Sequence, residues 1–471
     1  MAHTKISTAA PFEGVPRINA PAMYGASPNK PILYRIPVTG KRPMAISVEN
    51  LPEGLNLDDR GILTGKLPEG DYQLTLKAEN ELGRAEKQIC FEIHPDHLLL
   101  TPLLGFTTWN AFQSTVRQED VEHSAKYLSE TGLSEYGYHY INIDSGWQGA
   151  YGGELDAIQP NAKFTNMKAM TDVVHSYGFK CGIYSTPMRH AWGCPAELES
   201  IPGCTRGEVD IRLSQEAFGF GVERMEANNA AQWNRWGFDY LKYDWVPNEG
   251  FSADLMKQQL LKQDRDFAFC TTVLCKPEYA DYWKRNCNSW RNNPDSGPEW
   301  NIVKDIFKTY DPWIPHVGKG HFFDMDMLEL GESVRNEGVC QLEEDEQIFA
   351  FTMRAFLMTP IQLSSMLDKL SQFELNLYGN EEILAIHQDP LTSAATLKHE
   401  IREGDTWLKI YQRKLADGNV AEAFFNAGDT EQTVVLETGL GAVRDVWARE
   451  MLEETSLVLP PHTTRVIKYI R

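Results

Sequence analysis

From residue 1 to about residue 97, apolar and polar side chains alternate with a period of two, and no stretch repeats apolar residues at helical spacing. Pro31-Ile32-Leu33-Tyr34-Arg35-Ile36 and Tyr72-Gln73-Leu74-Thr75-Leu76-Lys77-Ala78 read as half-buried strands. Leu51-Pro52-Glu53-Gly54-Leu55 and Arg60-Gly61-Ile62-Leu63-Thr64-Gly65 read as turn-rich connections between them. The pattern predicts a small β-sandwich over residues 1–97. From about residue 98 strands and helices alternate. The strand candidates are Leu103–Trp109, Tyr138–Trp147, Lys180–Thr186, Tyr240–Trp245, Phe267–Val273, Ser289–Asn292, His316–Phe323 and Pro360–Ser364. Between them, Asp120–Leu128 and Asn166–Val174 space their apolar residues helically, the second stopping near Gly178. Strands and helices alternating in this way over residues 98–395 predict a (β/α)8 barrel. A doubly wound sheet would call for a glycine-rich GxGxxG turn after the first strand, and none is there. Beyond about residue 396 the alternation returns in Trp407–Tyr411, Ala421–Asn426, Thr433–Leu436 and Thr464–Tyr469, predicting an antiparallel β domain over 396–471. The fold class is therefore α/β, a TIM barrel flanked by an N-terminal β-sandwich and a C-terminal antiparallel β domain.

Composition narrows the function. Sixty-six acidic against 45 basic residues give a net charge of −21, which repels phosphate backbones and argues against nucleic acid as a partner. No apolar run reaches the roughly 18 residues of a bilayer span, so no membrane insertion is expected, and Met-Ala-His-Thr-Lys has no apolar signal core. The eight cysteines form no CxxC pair, so neither a metal site nor a redox motif is predicted. Cys181, Cys270 and Cys287 sit in apolar segments and read as buried, while Cys194 and Cys204 are the best local disulfide pair. Asp324 and Asp326 straddle Met325 without the remaining ligands of a calcium loop. No cofactor is expected. His321 and His387 read as structural, and Glu343-Glu344-Asp345-Glu346 as a solvated helix start.

Chemistry collects where the strands end. Active sites of such barrels lie at the C-terminal ends of the strands, and there this chain places Trp109, Asp144, Trp147, Tyr184, Lys242, Asp244, Trp290, Arg291, Asp295, Asp324 and Asp326. Two long loops, from Pro187 to about Phe220 and from Asp324 to about Asp345, are placed to overhang that face. Carboxylates between aromatic walls suit a neutral polyhydroxylated ligand, a sugar. Glycoside hydrolysis needs two carboxyl groups flanking the anomeric carbon. Asp244, beside Lys242, is the candidate nucleophile because a neighbouring cation favours the ionised carboxylate. Asp295, in the loop after its strand, is the candidate acid, its protonated form favoured by partial burial.

The motifs GFTTWNAF, YINIDSGW, FKCGIYSTP, WGFDYLKYDW, CNSWRNNPD, FFDMDML and ILAIHQDPL, in that order, resemble glycoside hydrolase family 27, the α-galactosidases and α-N-acetylgalactosaminidases, over about residues 100–471. Residues 51–83 also resemble the immunoglobulin-like module that precedes the catalytic domain of some bacterial glycosidases. The resemblance implies an exported bacterial enzyme that retains anomeric configuration, with Asp244 as nucleophile and Asp295 as acid/base, about 5 to 5.5 Å apart. It implies that Asp144, Lys242 and Arg291 bind sugar hydroxyls and that Trp109, Tyr184 and Asp326 line the pocket. The substrate it implies is an oligosaccharide or glycoconjugate with a terminal α-galactosyl group. Where the family often has a second aspartate this chain has Ser145, and Val246 replaces a cysteine that often follows the nucleophile motif. Losing a charged acceptor at Ser145 weakens the grip on galactose hydroxyls and opens alternatives: a β-L-arabinopyranoside, an α-N-acetylgalactosaminide, or sugar binding without catalysis.

Overall fold

The computed structural model describes residues 3–7, 12–192, 195–207, 209–210, 215–216, 218–244, 250–272 and 276–471. Cys194, Trp245, Val246 and Val273 lie outside these, and with Cys194 the proposed Cys194–Cys204 pair.

Eight parallel strands form the central sheet: β1 Leu104–Thr107, β2 Tyr140–Asn142, β3 Lys180–Ser185, β4 Tyr240–Tyr243, β5 Ala268–Thr272, β6 Ser289–Arg291, β7 Phe322–Asp324 and β8 Ile361–Leu363. They run β7-β6-β5-β4-β3-β2-β1-β8, and a parallel bridge between Leu328 and Leu363 brings the two ends together. There Leu328 N donates to the Gln362 carbonyl at 2.8 Å and Ser364 N to the Leu328 carbonyl at 2.8 Å. All eight strands fall within or against the expected stretches, but they are shorter. The first ends at Thr107, and Trp109 lies on a short helix, α1 Thr108–Phe112. The seventh begins at Phe322, because His316 ends a 3-10 turn and the chain then reverses between Gly318 and His321, which bond each other backbone to backbone at 2.9 Å.

The barrel interior explains its glycines. A Cβ on Gly182 would lie 2.0 Å from Asn142 Oδ1 and one on Gly105 2.6 Å from the Tyr140 carbonyl oxygen, so only a bare backbone fits beside these neighbours. The helix α2 Gln118–Glu130 buries Val121, Ser124, Ala125 and Leu128, one helical face. In α3 Met167–Ser176 the Asn166 side chain accepts from Ala169 N at 3.0 Å, and Met167, Met170, Thr171 and Val174 are buried at the same periodicity.

Residues 17–93 form a four-stranded sheet and a three-stranded sheet sharing one core that includes Ile32, Leu63, Leu74 and Phe91. Two of the segments read as connections carry short strands, Leu55–Leu57 and Ile62–Gly65, because each finds an antiparallel partner in the smaller sheet. Residues 3–7 run elsewhere: Thr4 Oγ1 donates to the Thr464 carbonyl at 3.0 Å and Ser7 N to that of Trp447 at 3.0 Å. After the barrel, a six-stranded antiparallel sheet faces the pair Gln432–Val435 and Ser456–Leu459 across a core that includes Phe424, Leu457 and Tyr469. Its other face, with Trp407, Tyr411 and Phe425, joins the barrel core.

The acidic run does begin a helix, Glu344–Phe356, with Glu343 and Glu344 solvated as expected, but its other two members are not. Asp345 and Glu346 are 8% and 7% exposed. Asp345 accepts from the backbone amides of His3 and Thr4, while Glu346 accepts from Glu343 N and meets His462 Nδ1 at 2.7 Å.

Candidate active site

The C-terminal ends of β2, β3, β4, β6 and β7 bring the predicted side chains together. Asp144 follows β2 and is buried; its Oδ2 accepts from Lys242 Nζ at 2.7 Å and its Oδ1 from Ser145 N at 2.7 Å. Thr108 Oγ1 fixes it further by accepting from Asp144 N at 2.9 Å. Burial raises the Asp144 carboxyl above its ordinary range despite the ammonium beside it. Burial alone would lower the Lys242 ammonium, but Asp144, Asp326 and Asp244 outweigh that and hold it raised.

Asp244 stands at the end of β4 with its backbone N bonded to the Ser185 carbonyl at 2.9 Å. Tyr184 Oη, from β3, donates to its Oδ2 at 3.2 Å, and Arg291 Nη2 lies 4.0 Å from its Oδ1. Lys242 and Asp244, two residues apart, leave the same side of the chain, and Asp244 helps hold the ammonium charged, but the hydrogen bond of Lys242 goes across the barrel to Asp144. Arg291, at the end of β6, binds Asp295 Oδ1 at 2.6 Å and Asp326 Oδ2 at 3.0 Å. One guanidinium therefore touches or faces three carboxylates. The expected partial burial of Asp295 is also corrected: its side chain is 72% exposed, because the loop Asn292–Asp295 leaves the barrel wall.

Asp326 is buried and accepts from Ser296 N at 2.8 Å as well as from Arg291. Burial would raise its carboxyl, but Arg291 and Lys242 prevail and hold it well below the ordinary range. Its φ of +67° is a strained backbone for a side chain that is held in place by these bonds. Asp324 lies deeper. Cys270 Sγ donates to its Oδ2 at 3.2 Å, Asp326 N to its Oδ1 at 2.8 Å, and burial followed by the neighbouring Asp326 raises it. Ser145 is buried, and its hydroxyl accepts from Gln148 Nε2 at 3.3 Å.

Trp109 is half-buried on α1. Trp147 and Trp290, also placed at the mouth by sequence, are fully buried in the barrel core, Trp147 donating from Nε1 to the Tyr184 carbonyl at 3.0 Å. Sequence reasoning missed Thr108, which holds the backbone of Asp144, Ser296, whose amide orients the Asp326 carboxylate, and Gln148, which holds Gly146 N and the Ser145 hydroxyl. It also missed Asn110, whose Nδ2 donates to the buried Glu329 Oε2 at 2.9 Å. Only proximity to a motif could have suggested them. A small cavity lined by Thr107, Lys242, Arg291, Asp324 and Asp326 lies among the strand ends. Other cavities, of about 100, 560 and 710 Å³, lie against residues of the N-terminal sheets, away from these carboxylates.

Residues 101–205 and 214–389 match the sequence model of the family described as alpha galactosidase A. The chain belongs to this family. Its C-terminal residues 405–469 match the alpha galactosidase C-terminal beta sandwich domain. Alpha-galactosidase 2 of Arabidopsis thaliana is 28% identical over 397 residues, covering 79% of this chain and 90% of the relative. Alpha-galactosidase A of Cellvibrio japonicus is 29% identical over 359 residues, covering 71% and 78%. Among solved structures, a Bacteroides fragilis protein provisionally described as an alpha-galactosidase superposes with a TM-score of 0.84 at 28% identity, covering 99% of this chain and 100% of that one. A GH27 β-L-arabinopyranosidase from Geobacillus stearothermophilus has the same fold, with a TM-score of 0.68 at 21% identity over 78% of this chain and 97% of that one. The protein is a glycoside hydrolase of the α-galactosidase type, built on a (β/α)8 barrel with a C-terminal antiparallel β domain. Among the described residues no helix is long and apolar enough to cross a membrane.

Proposed function

We propose that the enzyme is a retaining exo-glycosidase that removes terminal α-galactosyl residues from oligosaccharides or glycoconjugates. The observation that carries this reading is the guanidinium of Arg291, which gathers Asp244, Asp295 and Asp326 at adjoining strand ends. In the first step the Asp244 carboxylate attacks the anomeric carbon while Asp295 protonates the departing oxygen, leaving a glycosyl ester on Asp244. In the second, Asp295 takes a proton from water, water attacks the anomeric carbon, and the ester bond to Asp244 breaks. Two inversions restore the starting configuration. Asp144, Lys242, Arg291 and Asp326 supply charge-assisted hydrogen bonds to the sugar hydroxyls, with Ser145, Tyr184 and Trp109 completing the pocket.

Ser145 supports a second reading of the sugar. A buried hydroxyl already engaged by Gln148 is a poorer acceptor than a carboxylate, which favours a pyranoside that lacks the 6-hydroxymethyl group, a β-L-arabinopyranoside. Hydrolysis of aryl α-galactoside, aryl α-N-acetylgalactosaminide and aryl β-L-arabinopyranoside, each by wild type and Asp244→Asn, tests both readings. The first predicts that the α-galactoside is cleaved fastest and that Asp244→Asn abolishes the activity. Full activity in Asp244→Asn would refute the assignment of the nucleophile. We further propose that residues 1–97, 98–395 and 396–471 are the domains, the first of immunoglobulin-like type, and that the enzyme is exported.

A further inference from the structure

The loop after β3 carries a hairpin whose placement the reaction described above does not use. Its strand His190–Trp192 pairs with Phe218–Phe220, Trp192 opposite Phe218, and the two rings lie 6.1 Å apart. The hairpin is anchored at its base. Arg189 N donates to the Glu223 carbonyl at 2.7 Å and its guanidinium to Glu223 Oε2 at 3.0 Å, while buried His190 meets Tyr151 Oη at 3.3 Å. Trp192 is therefore held by the protein itself. Its ring stands edge-to-face with Trp109, centroids 5.9 Å apart at 77°, and both indoles are only half-buried. The Trp192 indole N–H bonds to no protein group among the described residues. The same loop holds residues 206–213, which fall outside the two matched stretches of the family model.

Position assigns the role. Thr108, adjacent to Trp109, bonds directly to Asp144 on the floor of the mouth, so Trp109 borders the place where a sugar would be gripped. Trp192 reaches that border from the overhanging loop and not from the barrel wall. A flat apolar face with one unused N–H donor matches a pyranose, which offers axial C–H groups to stack on and hydroxyls at its edge. We propose that Trp192 binds the leaving-group sugar of an oligosaccharide substrate, with Trp109 fixing the tilt of its ring. This rests on the reading of the barrel mouth as the site of α-galactoside cleavage.

The test compares two substrates with the same terminal sugar. One is α-galactosyl fluoride, whose leaving group is a single atom, and the other is the disaccharide melibiose, whose leaving group is glucose. Trp192→Ala lowers kcat/KM on melibiose roughly tenfold while leaving the fluoride within about twofold of wild type. Trp192→Phe keeps a flat face and recovers most of the loss on melibiose. Equal losses on both substrates, or an unchanged rate on melibiose, would overturn the role of Trp192 while leaving the site intact. If wild type cleaves neither substrate, the α-galactosidase reading fails and takes this inference with it.

Discussion

Arg291 is the residue on which the candidate site depends most. Its buried guanidinium contacts Asp295 and Asp326 and faces Asp244, a task for a planar, forked donor. Lysine preserves the charge but offers one point donor, so Arg291→Lys is expected to lower kcat about 100-fold or more with a smaller change in KM, as when a preorganised charge is lost. Circular dichroism unchanged from wild type would show that the fold survives. The same contacts show what was legible at this scale. Asp144, Lys242, Asp244, Arg291 and Asp326 were identified from strand-end position and motif, and they do converge. Their pairing was not legible, because Lys242 and Asp244 are neighbours in sequence while Lys242 and Asp144 are neighbours only after β2 and β4 take their places around the barrel. The exposure of Asp295 was misjudged for the same reason, since burial of a loop residue depends on packing that no local pattern records.

At the scale of elements, the loop after β7 is clamped to α1. Asn110 Nδ2 donates to Glu329, Arg335 Nη1 donates to Asn110 Oδ1 at 3.1 Å, and the amides of Val334 and Arg335 bond to the carbonyls of Ala111 and Asn110 at 3.1 Å each. Ser333 adds a further hydrogen bond to Glu329, whose carboxyl is raised by burial. The clamp fixes the helix that presents Trp109. Asn110→Ala is expected to raise KM roughly fivefold to tenfold with kcat less affected, read from initial rates over a range of substrate concentrations. The opposite split, kcat falling at constant KM, would speak against this positioning role. Strand existence and order were legible in the alternation of apolar runs, whereas strand ends were not. The first strand ends at Thr107 rather than Trp109 because its parallel partners reach only to Asn142 and Leu363, after which the chain is free to turn into a helix.

Across the whole molecule, the N-terminal sandwich braces the N-terminal end of the barrel. Ser27 N donates to Asp266 Oδ2 at 2.7 Å, Lys30 lies 3.4 Å from the same carboxylate, and Arg35 donates to the Tyr177 carbonyl at 3.0 Å. Asp266→Ala is expected to cost about 1 to 3 kcal/mol in urea denaturation, by leaving these donors unsatisfied, with hydrolysis of the bound sugar unchanged. Nearby Asp239 joins three elements, meeting His175 Nε2 at 2.8 Å, Arg265 Nη1 at 2.6 Å and Cys181 N at 3.0 Å. Burial would raise its carboxyl, but His175, Arg265 and Lys180 prevail and depress it. A carboxyl lower in the native than in the unfolded chain contributes stability above its unfolded value of about 4, lost as pH falls through the native value. Asp239→Asn should therefore destabilise the protein by about 3 kcal/mol near neutral pH and flatten the loss of stability below about pH 4. Urea midpoints measured across that range check both. The barrel and the C-terminal antiparallel domain were legible because the period of the hydrophobic pattern changes between them. The docking of residues 3–7 on the far β domain was not, since it joins chain ends that no local pattern connects.

The central claim is that Asp244 forms a covalent bond to the sugar. Incubation with a 2-deoxy-2-fluoro-α-galactosyl fluoride, whose fluorine slows breakdown of the glycosyl ester, followed by proteolysis and peptide mass spectrometry, reads that bond directly. The account predicts one fluorosugar per chain, attached to Asp244 and absent in Asp244→Asn. An adduct on another carboxylate, or inversion of configuration in the first-formed product of the unmodified substrate, would contradict it.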